Sequence, residues 1–153
     1  AVRYIQHDMH SNNECRADLV EVMVTCSNNA ATCGVQLEMW EEVQKYAKNA
    51  YILMTALFKK RGSRIHSILV KDNGHCDSKL FGEWRVKSHL LLARALSEKE
   101  EYDDALEELK MARGIIAYYT VGEGLIDDAA AKSSALRLRS QEREILKLKA
   151  KSS

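Results

Sequence analysis

Two short runs hold the side chains best suited to chemistry in this chain of 153 residues. Asn28, Asn29, Thr32 and Gln36 place amides and a hydroxyl at spacings of one, three and four, which a helix gathers into a polar stripe. Lys87 and Arg94 stand seven apart, again on one helical face. Buried without partners, such groups are costly, so they are expected to face solvent or a ligand. Amides beside cations suit an extended peptide carrying carboxylates, each charge-assisted hydrogen bond contributing about 1.5–3 kcal/mol. The chemistry on offer is recognition rather than bond-making.

Other chemistries fare worse. His7 and His10, with Cys15, match no standard zinc spacing, and His75-Cys76 is remote in sequence, so no metal is expected. A Ser/His/Asp order, a glycine-rich phosphate loop and a nucleophile elbow are all missing, so neither a cofactor nor enzymatic activity is expected. Glu41-Glu42 and Asp103-Asp104 are paired carboxylates, but both fall at expected helix starts, where acids complement the helix dipole. Lys59-Lys60-Arg61, with Ser63 and Arg64, reads as a solvated helix end, the alternative being a loop for a kinase or an import receptor.

The elements that position these groups must be helices. Proline is absent and glycine occurs only seven times, so little interrupts a helical backbone, and the expected class is all-α. Hydrophobic residues at 46% and charged ones at 29% suit one globular domain of this length. A formal charge of +1 favours neither nucleic acid nor an anionic membrane. There is no apolar run of the roughly 18–20 residues that span a bilayer, and no signal-peptide core; a start without Met suggests a fragment or processed chain. Cysteines 15, 26, 33 and 76 form no close-spaced disulfide framework, and are expected as small buried hydrophobes in a reducing, cytoplasmic setting.

Ser11-Asn12-Asn13-Glu14 caps a first helix to about Gln36, with Leu19, Val22, Met23, Cys26, Ala30 and Cys33 as its apolar side. A second helix spans about Met39 to Lys59. The connection 61–78 carries turn chemistry around Ile65-His66-Ser67-Ile68-Leu69-Val70, which fits a helical turn, a strand or a helix extension equally well. Helices follow at about Ser78–Ser97 and Tyr102–Tyr118, then a break at Val121-Gly122-Glu123-Gly124. The last helix, about 126–150, has Leu138, Gln141, Ile145 and Leu148 on one side. Seven Lys/Arg against two Glu over residues 130–153 make its end basic, by seven minus two, +5. It is expected to cap the fold, its distal part being free to meet an acidic partner or a lipid surface.

The chain also repeats itself. At an offset of 62, Ala31 falls on Ala93, Cys33 on Ala95, Trp40 on Tyr102, Val43 on Ala105, Ala47 on Leu109 and Ala50 on Ala112. Small residues recur where helices cross, and a ring recurs at the corner between them. This pattern resembles the tetratricopeptide repeat, with units at about 24–58 and 86–119, and loosely the repeat domain of immunophilin-type co-chaperones. The family's proline after the second helix is missing, and Glu38 and Glu100 replace its small residue before the corner ring. The resemblance implies stacked helical hairpins and a groove that grips a chaperone's C-terminal carboxylates. In that scheme Asn29 matches the family's middle Asn and Lys87 its final Lys; Leu91 takes the place of the paired Arg, with Arg94 three residues on.

The expected function is therefore protein–protein recognition, adaptor- or co-chaperone-like. A partner peptide or acidic tail would lie in a groove lined by Asn28, Asn29, Thr32, Gln36, Lys87 and Arg94. The alternative is a structural segment of a larger helical scaffold with no dedicated ligand.

Overall fold

With no proline to break it, the backbone can run helical wherever one face finds a core. The computed structural model of the chain, which describes residues 13–119 and 128–153, is all-α. Its long helices are α1 (Asn13–Gln36), α2 (Trp40–Lys59), α3 (Trp84–Glu98), α4 (Tyr102–Ala117) and α5 (Asp128–Ser152). Each packs on the next in chain order, α1 on α2 through to α5 on α4, and α3 also touches α1 and α5. No described helix is long and apolar enough to cross a membrane. The expected caps Ser11 and Asn12, the pair His7 and His10, the Cys15 side chain and the break at Val121–Gly124 lie outside the described residues.

The turns α1–α2 and α3–α4 are built alike. The N–H of Leu37 donates to the Cys33 carbonyl (3.1 Å) and that of Met39 to Gly34 (2.9 Å). At an offset of 62, Lys99 donates to Ala95 (3.2 Å) and Glu101 to Leu96 (2.9 Å). These bonds satisfy carbonyls left over at a helix C-terminus, and they require one residue in the left-handed region. Glu38 (φ 56°) and Glu100 (φ 64°) supply it. Burial repeats in the same register: Ala31 with Ala93, Val43 with Ala105, Ala47 with Leu109, Ala50 with Ala112, and Leu57 with Tyr119. Trp40 and Tyr102 each open the second helix of their turn, half-buried against the core. Lys99 links the two turns, its Nζ 2.9 Å from Glu41, 3.0 Å from Gln44 Oε1 and 3.3 Å from Glu101. The hydrogen bond to Glu41, foremost, raises its pKa above the ordinary lysine value.

The buried face of α1 is not the expected one. Ala17, Val20, Val24, Asn28, Ala31 and Gly34 turn inward. Of the expected apolar side, Val22 is 56% exposed, and Cys26 and Cys33 are exposed too. The cause is close approach: a Cβ on Gly34 would stand 2.8 Å from Val43 Cγ2. Only small residues fit that crossing, so bulk is pushed to the outside. The expectation of buried thiols is corrected accordingly, and Cys76 is exposed as well.

The connection left open by the sequence is helical. Ser63 Oγ accepts from the His66 N–H to cap a turn at Arg64–Ser67, which widens into a π-helical run at Ile68–Asp72. A second π-helical run, Ser78–Glu83, leads into α3. Ile68, Leu69, Leu80 and Phe81 from this stretch enter the core. Polar ties pin it down: Asn73 Nδ2 donates to Asp18 (3.2 Å) and Glu21 (3.1 Å) on α1. His66 Nδ1 accepts from the Gly62 N–H, leaving Nε2 to donate to Asp77 at 2.6 Å.

Candidate functional site

The second half of α1, the length of α3 and the middle of α5 enclose a groove of about 770 Å³. The apolar residues Val35, Val86, Leu90 and Leu91 share its lining with charged ones. Thr32 enters from α1, Glu83 from the end of the second π-helical run, and Lys87 and Arg94 from α3. The α5 wall carries Ser133, Ser134, Arg137, Ser140, Gln141 and Glu144. Gln141 Nε2 donates to the Leu90 carbonyl at 3.0 Å and so fixes α5 against α3. Leu138 and Ile145 of α5 are buried. Burying that side turns the neighbouring polar stripe toward the groove.

Three of the six expected ligand residues meet here: Thr32, Lys87 and Arg94. Thr32 Oγ1 donates to the Asn28 carbonyl one turn back (2.7 Å). Arg94 is shared between Glu98 (2.8 Å) and Glu144 (3.8 Å), its guanidinium 5.8 Å from the centre of the Trp40 ring. Lys87 and Arg137 are exposed and form no ion pair among the described residues. Asn29 and Gln36 are exposed on the α1 strip that Thr32 shares by its spacings of three and four, but neither lines the groove.

Asn28 belongs elsewhere. It is 4% exposed, and its Oδ1 accepts from Ser88 Oγ at 2.9 Å while its Nδ2 donates to the Trp84 carbonyl at 3.4 Å. A buried amide with both ends used is a clasp between α1 and α3, which corrects its expected place in the ligand stripe. Next to it on α3, His89 is 1% exposed and faces away from the groove, its Nδ1 2.6 Å from Glu108 of α4 and its ring 5.1 Å from that of Tyr51 on α2.

The α5 wall is the part that the sequence reading missed, having assigned that helix to capping, with only its distal part free to meet an acidic partner or a lipid surface. Its signal was present: Ser133, Arg137, Ser140 and Glu144 recur at spacings of four, three and four beside the buried pair. Beyond the rim, Arg139, Arg143 and Lys147 continue as an exposed basic ridge along α5. Among the described residues, no three His, Cys, Asp or Glu side chains gather as a metal site would require. No family model, curated protein or solved structure matches this chain.

Proposed function

We propose that this chain is a tetratricopeptide-like domain that holds an extended acidic segment of a partner protein in the groove between α1, α3 and α5. The observation that carries the reading is a pair of exposed cations, Lys87 and Arg137, that line one groove from two helices and form no ion pair among the described residues, although Glu83 and Glu144 share the lining. An incoming carboxylate supplies what the protein leaves out, and the apolar residues between accept intervening side chains. The two turns in register at an offset of 62 support the repeat assignment, and the basic ridge of α5 extends the same charge preference outward. The role is that of an adaptor, co-chaperone-like and non-enzymatic. The exposed free thiols of Cys26, Cys33 and Cys76 suit a reducing, cytoplasmic setting.

Fluorescence anisotropy with a labelled acidic peptide, and with its Gln/Asn counterpart as control, tests the assignment. Lys87→Ala and Arg137→Ala should each weaken capture by about 1–3 kcal/mol, roughly five- to 150-fold, without lowering Tm. Asn29→Ala, exposed on α1 but outside the groove lining, should weaken it less. Equal binding of the acidic and neutral peptides, or by both cation variants and the parent, rejects the groove.

A second reading has its own support on the outside of α1. There Val22 (56% exposed) and Leu37 (68%) stand with Cys26 and Cys33 on an uncovered apolar strip, as in a segment cut from a longer helical scaffold. Concentration-dependent association in analytical ultracentrifugation, with no acidic-peptide binding, favours that reading.

A further inference from the structure

A separate hollow of about 370 Å³ opens where α1, the end of α2 and the turn at Arg64–Ser67 meet. Its lining is mainly apolar, from Val20 of α1, Leu53 and Leu57 of α2, and Ile65. Lys60 and Arg64 stand among the lining residues, beside Arg16, which is already engaged. Among the described residues no carboxylate lines the hollow, and neither Lys60 nor Arg64 forms an ion pair. The neighbouring Arg61 is turned onto the Phe58 ring, 3.8 Å from its centre. An apolar chamber at whose described rim Lys60 and Arg64 stand without a paired acid suits an amphipathic anion.

The character of the walls decides which kind. Among the described residues, Ser63 is the one uncharged polar side chain in the lining, and its hydroxyl already accepts from the His66 N–H. A peptide lowered into the hollow would bury N–H groups for which the described lining offers no free acceptor beyond Ser63 Oγ, whereas a hydrocarbon chain carries no such groups. We infer that this hollow binds a medium-chain fatty carboxylate, with the tail against Val20, Leu53, Leu57 and Ile65 and the head at Lys60 and Arg64. The site is independent of the peptide groove. It also gives a role to the basic run Lys59-Lys60-Arg61-Gly62-Ser63-Arg64, which the groove does not use.

Isothermal titration of the full chain with decanoate, decanol and decyltrimethylammonium, all below their aggregation thresholds, tests the inference. Decanoate should bind saturably at one site, decanol about tenfold more weakly, and the cation not at all. Each methylene removed from the carboxylate should weaken binding about fourfold. Arg64→Glu should weaken decanoate about tenfold and leave decanol unchanged. Ala56→Trp, at an exposed lining position, should block both ligands while circular dichroism stays that of the parent. Lys87→Ala should change nothing. Decanol binding as tightly as decanoate, an absence of saturation, or indifference to Arg64→Glu overturns the inference. Weakening by Lys87→Ala also overturns it, by moving the ligand to the groove.

Discussion

Replacing Asn28 by Ala separates a structural amide from a ligand-binding one. The side chain is 4% exposed and joins α1 to α3 through one good hydrogen bond, from Ser88 Oγ at 2.9 Å, and one long one, to the Trp84 carbonyl at 3.4 Å. A typical buried bond contributes about 0.5–1.5 kcal/mol net, so two set an upper range near 3 kcal/mol. The structure argues for less. Ser88 Oγ also lies 2.9 Å from the Trp84 carbonyl, so its hydroxyl keeps an acceptor when the amide is lost, and that carbonyl keeps a donor. The expected cost is therefore about 1–2 kcal/mol, or about 2–8 °C in Tm for a domain of this size. Urea melts of the parent, Asn28→Ala, Ser88→Ala and the double variant should give a coupling of at least about 0.5 kcal/mol. Asn29→Ala, one residue on and exposed, should melt within about 0.5 kcal/mol of the parent. Additive effects of Asn28→Ala and Ser88→Ala, or an Asn28→Ala variant as stable as the parent but poorer at holding acidic peptide, refute the clasp.

Two further outcomes follow from the packing and the charges. Ala93 is fully buried on α3, in register with Ala31 on α1, and Ala93→Leu should overpack that site by about 1–3 kcal/mol, read as a shift of the urea midpoint at constant slope. Lys99 has a raised pKa through Glu41, so its stabilisation is complete below the unfolded value of about 10.4 and is lost as pH climbs through the folded value. The stability gap between the parent and Lys99→Met should stay level from about pH 7 to 9 and narrow above about 10.4; a gap that ignores alkaline pH rules the contact out.

The all-α class and the long helices were legible because they rest on local properties: no proline, few glycines, and apolar spacings of three and four. The two turns were legible because the chain repeats them. What could not be read was which face of α1 goes inside. Leu19, Val22, Met23, Cys26, Ala30 and Cys33 make the more hydrophobic side, and a periodicity argument picks it. Burial follows the helix that α1 must approach instead, and the contact at Gly34 and Val43 admits only small side chains. Hydrophobicity ranks faces by transfer energy; a tight crossing ranks them by volume, and here volume prevails. The same rotation carries Asn28 inward, where Ser88 meets it, a partner sixty residues away that no local pattern reveals.

The groove was half legible for a related reason. At the offset of 62, the core positions of the two turns hold residues of one kind, small or apolar, because both crossings face the same packing problem. The outward positions diverge: Thr25 is matched by Lys87, Asn29 by Leu91 and Thr32 by Arg94. Packing alone gives no reason for cations at these places on α3 and neutral polar groups on α1. Of the α1 positions only Thr32 lines the groove, so its α1 side is neutral while its α3 side carries the Lys87 ammonium and the Arg94 guanidinium. Carboxylates belong beside Lys87, and Arg137 on α5 adds a second cation to the same groove. An acidic peptide with its charges grouped at one terminus should therefore bind more tightly than the same composition with its charges spread evenly. Equal affinity for the two arrangements would mean that the groove senses only net charge, and the register argument would fail.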